Sequence, residues 1–117
     1  MISKANIKQG DLYLINFDPS IGHEYQGKRP ALIIQANTQI RKSNLITVMP
    51  LTSNCGNCLT DDIVIKKDSA NRLISNSVIK VYSIISFDYK RLVNKIGTVD
   101  DFTLGKVKSY LQKHFKI

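Results

Sequence analysis

Long apolar runs are absent: the longest uninterrupted ones, such as Ala31-Leu32-Ile33-Ile34, are only a few residues long. A membrane-spanning helix needs about 20 apolar residues in succession, so none is expected. The opening MISKANIKQG holds no apolar segment of the signal-peptide kind, and a cytoplasmic address with no membrane partner is the expectation. Cysteine is nearly absent too. Cys55 and Cys58 form one C-x-x-C, and the other candidates for a zinc ligand set, His23 and His114, lie far away in sequence. No metal and no cofactor are expected, and the pair reads as two loop thiols. Acidic residues are scarce: 9 Asp and Glu face 17 Lys and Arg, a net charge of +8. A field of that sign attracts polyanions, and nucleic acid is the leading partner class. Much of the excess lies between Lys90 and Ile117, where a lysine-rich helix can equally be a solvated face.

With 117 residues and 43% apolar content, the chain suffices for one core, so residues 1–117 are expected to form a single domain. No repeat or low-complexity segment divides it. β signals dominate. Leu12–Phe17, Ala31–Gln35, Leu45–Leu51, Ile63–Ile65 and Val78–Phe87 are aliphatic or β-branched runs bounded by polar turns. Only the end reads as helix, with Asp100 as its cap and Leu104, Val107, Leu111 and Phe115 recurring on one face. A shorter helical turn is expected within Asp88–Leu92. The fold class is therefore mainly β with helical additions, a small antiparallel barrel carrying a C-terminal α-helix.

The stretch GHEYQGKRPALII, residues 22 to 34, sets a polar glycine-containing loop directly against an apolar strand. It belongs to a series in fixed order: Gln9-Gly10-Asp11-Leu12-Tyr13, Gly27-Lys28-Arg29-Pro30, Pro50-Leu51-Thr52-Ser53, Asn76-Ser77-Val78-Ile79, Asp88-Tyr89-Lys90-Arg91-Leu92 and Gly97-Thr98-Val99-Asp100-Asp101. That series resembles the MazF/PemK family of toxin endoribonucleases, from about Lys8 onward. The resemblance implies an SH3-like barrel of the CcdB/PemK kind. It also implies a homodimer that cuts single-stranded RNA without metal and is silenced by a cognate, MazE-like antitoxin with an extended C-terminal tail.

By the same resemblance the catalytic positions fall on Arg29 and Thr52. Arginine remains charged and grips two phosphate oxygens at once, which suits a developing phosphorane better than base chemistry. Thr52 offers a hydroxyl to the same phosphate. Glu24 and His23 are the candidates for proton transfer. Gln26, Lys28, Ser53 and Asn54 are expected to touch RNA. The family's acidic residue and later arginine before the Asp88 region are replaced here by Tyr82 and Ile85, so Lys80 is expected to supply charge and Tyr82 a stacking surface. Taken singly, each residue has an ordinary reading: a surface arginine, a turn threonine, a solvated histidine. A catalytically silent RNA-binding module and a CcdB-like gyrase poison of the same fold remain as alternatives.

Overall fold

The computed structural model describes residues 2–19, 26–53, 56 and 58–117. Among the described residues, seven strands form one antiparallel sheet: β1 (Asp11–Asn16), β2 (Lys28–Ile33), β3 (Leu45–Thr52), β4 (Ile63–Ile65), β5 (Ser77–Ile79), β6 (Ile85–Asp88) and β7 (Leu92–Thr98). Their order is β4-β5-β3-β2-β1-β7, and β6 pairs with the first half of β3 beside β5. A short helix α1 (Asn37–Ile40) lies between β2 and β3, and α2 (Asp101–Phe115) ends the chain. This agrees with the mainly β fold with a C-terminal helix read from the sequence.

The apolar runs are continuous rather than alternating because both faces of the sheet are covered. On β2, Leu32 enters one core with Leu12, Met49, Leu51, Ile79 and Val107, while Ala31 and Ile33 enter a second with Tyr13, Ile15, Ile46 and Val48. Each core strand thus feeds two clusters from successive residues. Helix α2 closes the first. Asp100 caps it as expected, its side chain accepting from the Thr103 N–H at 2.7 Å. The buried face differs from the expected one: Val107 and Tyr110 are buried, Leu104 and Leu111 are half-buried, and Phe115 is exposed.

Two other expectations change. The run Val78–Phe87 is not one strand: Lys80 donates its N–H to Pro50 O as the last rung against β3, and the chain then turns, Ser83 donating its N–H back to Lys80 O. The break yields β5 and β6, which occupy successive lengths of the same β3 edge. Strand β7 was not expected at all. It pairs with β1 through two register shifts, so its side chains do not alternate cleanly. The 3₁₀ turn at Tyr89–Arg91 matches the expected short helical turn.

The segment between β4 and β5 completes the frame. Asp68 Oδ1 accepts from the N–H groups of Ala70 and Asn71, at 2.9 and 2.7 Å. Buried Asn71 bonds Lys66 O through Nδ2, and its Oδ1 accepts from Asp68 and Leu73. This knot lies directly on β7. A Cβ placed at Gly97 would sit 2.5 Å from the carbonyl oxygens of both Ala70 and Asn71, so only glycine admits the approach.

Candidate functional site

At one end of the sheet β1, β2, β3 and β7 leave a cleft of about 850 Å³, walled on a further side by residues 72–75. Its position follows from strand register. β2 and β3 pair at Ala31↔Pro50, and two residues farther along the same side of the sheet stand Arg29 and Thr52, both of which line the cleft. The approach to Arg29 is fixed by Gly27, whose φ of +67° suits glycine and whose N–H donates to Asp18 Oδ1 at 3.0 Å. Gly27 O in turn accepts from Phe17 N at 2.8 Å, closing the base of the β1–β2 loop. Arg91 secures the other side of that loop by donating to Asp18 O at 2.6 Å. Arg29 is half-buried, and its Nε donates to Gln26 O at 3.1 Å, which orients the guanidinium by the backbone of its own loop.

The cleft combines an apolar lining with cations. Leu14, Pro30, Leu51, Leu73 and Ile96 supply the first, and Lys28, Arg29, Arg72 and Lys95 supply the second. Hydroxyls come from Thr52, Ser53, Ser75 and Ser77. Among the described residues no carboxylate and no imidazole lines it. Lys95 reaches buried Asp11 at 3.5 Å, so part of its charge is neutralised from within. Such a surface suits a chain that alternates anionic groups with flat, weakly polar rings: phosphates meet the cations and bases meet the apolar lining.

Of the residues singled out from sequence, Arg29, Thr52, Gln26, Lys28 and Ser53 come together at this cleft. Glu24, His23, Asn54 and Cys55 lie outside the described residues, and Cys58 is exposed. Lys80 and Tyr82 do not line the cleft. Lys80 forms an ion pair with Asp62, and the Tyr82 hydroxyl donates to Asp61 Oδ2 at 2.8 Å. Lys113 of α2 meets the other oxygen of Asp61 at 3.0 Å, and Tyr82 packs edge-on against Tyr110 with ring centroids 5.6 Å apart. Asp61 is held below its ordinary value of 3.8, chiefly by the Tyr82 hydroxyl and then by Lys113. The same hydrogen bond pushes the Tyr82 hydroxyl above its ordinary value of 10.0. Lys113 and Tyr110 thus tie α2 to the segments before β4 and after β5, and the Lys80–Asp62 pair joins those two segments to each other. Among the described residues no group of three His, Cys, Asp or Glu side chains is arranged to hold a metal.

Sequence reasoning missed Arg72 and β7's Asn94 and Lys95. For Arg72 the spacing Asp68-Ser-Ala-Asn71 is a legible turn former, but nothing in the sequence announces that the next residue faces a cleft. For Asn94 and Lys95 the lost signal is the alternation that the two register shifts destroy.

The profile of the family described as "PemK-like, MazF-like toxin of type II toxin-antitoxin system" matches residues 8–115. The chain is 31% identical over 106 residues to Endoribonuclease EndoA of Bacillus subtilis (strain 168), covering 91% of each protein. It is 27% identical over 113 residues to Endoribonuclease PemK of Escherichia coli, covering 92% of this chain and 84% of that protein. The crystal structure of MazF (Form-I) from Deinococcus radiodurans superposes with a TM-score of 0.79 at 23% identity, over 95% of this chain and 97% of that one. A MazE–MazF structure (Form-III) from the same organism gives 0.74 at 22% identity, over 95% and 97%. At these identities the solved structures speak for the fold.

Proposed function

The chain belongs to the PemK-like, MazF-like family of toxins of type II toxin-antitoxin systems, and from that premise we propose that it is an endoribonuclease whose active site is the Arg29–Thr52 cleft. One observation carries the reading: Arg29 and Thr52 follow the Ala31↔Pro50 pair on one side of two adjacent strands, at the edge of a cleft that is cationic, apolar and, among the described residues, without carboxylates. The named activity of the EndoA and PemK relatives supports it.

Single-stranded RNA threads the cleft with a phosphodiester at Arg29. The 2′-hydroxyl beside that phosphate attacks phosphorus, the bond to the 5′-oxygen breaks, and the products are a 2′,3′-cyclic phosphate and a 5′-hydroxyl. One proton leaves the 2′-oxygen and one arrives at the 5′-oxygen. Arg29 stabilises the charge on the non-bridging oxygens, and its hydrogen bond to Gln26 O aims it before substrate arrives. Thr52 donates its hydroxyl to the same phosphate. Proton removal falls to Glu24 or His23 in the preceding loop, since the described lining offers neither a carboxylate nor an imidazole. Gln26, Lys28 and Ser53 hold neighbouring nucleotides.

We propose further that the protein works as a homodimer in the cytoplasm and is silenced by a cognate antitoxin; the family description and the MazE–MazF structure of its relative support the antitoxin partner. Among the described residues no helix is long and apolar enough to cross a membrane.

The deciding experiment incubates purified protein with a long defined RNA and a chelator, and maps the ends. Discrete cuts bearing cyclic phosphates, abolished by a single 2′-deoxy substitution at the cut nucleotide, are expected. RNA that stays intact, or cutting that survives the 2′-deoxy substitution, contradicts the mechanism.

A further inference from the structure

Arg72 adopts φ +55°, a left-handed conformation in which residues with a Cβ are uncommon and for which glycine or asparagine is the ordinary choice. The turn around it needs no arginine. Its conformation is imposed by neighbours: Arg72 N donates to Asp68 O at 3.0 Å, Asn71 before it is buried and fully hydrogen-bonded to the backbone, and Leu73 after it is in the core. Thr98 N donates to Ala70 O at 3.1 Å, and the tight approach to Gly97 fixes the whole segment on β7. With both neighbours anchored inward, the Arg72 side chain is exposed and lines the cleft. No ion pair or side-chain hydrogen bond engages it among the described residues, whereas Lys95 in the same cleft is tied to Asp11. A backbone fixed in a left-handed conformation thus presents an unneutralised guanidinium toward a cleft already suited to a polyanion. Arginine grips phosphate in two-pronged fashion, and a fixed backbone sets where along the cleft that grip falls.

We propose that Arg72 is a second phosphate-binding residue of the cleft, gripping the RNA backbone at a phosphate other than the one that is cut. The proposal rests on the endoribonuclease reading and extends the RNA path from Arg29 along residues 72–75 toward β7. Arg72 takes no part in the bond changes. Its contribution is made equally before and during the reaction, so it governs KM and leaves kcat nearly untouched.

The informative variant is Arg72→Gly, because glycine accepts φ +55° and keeps the turn. Arg72→Lys is the partner variant, retaining charge. The binding probe is a fluorescent 2′-O-methyl RNA carrying the sequence that the wild-type protein is found to cut. For Arg72→Gly, melting at or above the wild-type temperature is expected, with Kd and KM both raised about five- to tenfold and kcat within about twofold. The slope of log K against log salt should shrink by about 0.7, one phosphate contact on a single strand. Arg72→Lys should restore the slope and part of the affinity. If the wild type cuts RNA while Arg72→Gly keeps its KM and salt slope, Arg72 has no such role and the active-site assignment is untouched. A wild-type protein that neither cuts nor binds RNA overturns both.

Discussion

The cleft and the cluster around Asp61 and Asp62 both gather cationic side chains, and they differ in how many of those charges are paired: both lysines of the cluster, but in the cleft Lys95 with Asp11. In the cluster the amines of Lys80 and Lys113 meet carboxylates, and Tyr82 donates to one of them. In the cleft Lys28 and Arg72 meet no carboxylate among the described residues, and the lining contains none. Paired charges hold α2 and the segments around β4 and β5 together, and each cation there already has its counter-ion. Charges presented without partners can still bind something. A lysine in a strongly basic chain therefore reveals its role through what faces it, and net charge alone does not distinguish the two.

The largest expected effect sharpens the cleft side. Arg29→Ala should lower the cleavage rate by a factor of about 10² to 10³, while a surface substitution of this kind changes stability by less than about 0.5 kcal/mol. Single-turnover kinetics beside a melting curve checks both. Thr52→Ala should show a smaller loss in the same direction, and Arg29→Lys should rescue little because an ammonium lacks the two-pronged grip.

The cluster side breaks the other way. Lys80→Met removes the partner of Asp62, whose side chain is 1% exposed and whose Oδ1 is buried without a hydrogen bond. An uncompensated buried carboxylate should cost about 3 kcal/mol of stability. Denaturant unfolding reads that loss, and the cleavage rate per folded molecule should remain at the wild-type value.

Acid tests the cluster, and the cap of α2 with it, more gently. The carboxyls of Asp61 and Asp100 are both held below their ordinary value of 3.8, the first mainly by the Tyr82 hydroxyl and the second by its hydrogen bonds from Thr103. A carboxyl with a lowered folded-state value contributes stability that is fully present above the ordinary value and is lost as pH falls through the lowered one. Melting temperature should hold from neutral pH down to about 5 and fall below about 4. Asp61→Asn should make that acid limb shallower.

The smallest effect comes from α2. Gly105 is exposed, and a methyl group there meets nothing within 4 Å. Gly105→Ala should raise stability by up to about 1 kcal/mol, measured by unfolding, with cleavage unchanged.

The same contrast explains what could be read from the sequence. Ile63–Ile65 and most of β1 and β3 were legible because their apolar runs end at polar turns. Motif order singled out Arg29 and Thr52, and the register of β2 and β3 brings both to the edge of the cleft. β7 was not, since Val93, Asn94 and Lys95 are exposed in succession where the strand bulges against β1. The division of Val78–Phe87 was hidden because the turn that ends β5, closed by the Ser83 N–H on Lys80 O, falls among residues that mostly favour strand. Tyr110 replaces Phe115 in the core for a similar reason: helical spacing identifies a stripe, and the sheet beneath decides how far along the helix it extends. Arg72 was beyond reach because its exposure depends on a knot of backbone hydrogen bonds and on Gly97, a neighbour distant in sequence.

The most direct test of the contrast maps where RNA touches the protein. Backbone amide NMR of the wild-type protein, titrated with the 2′-O-methyl form of its cut sequence, should show shifts concentrated at residues 26–30, 51–53, 72–75 and 94–96, with residues 61–62, 80–82 and 110–114 still. Shifts centred on the Asp61–Asp62 cluster, with the cleft unmoved, would contradict the account.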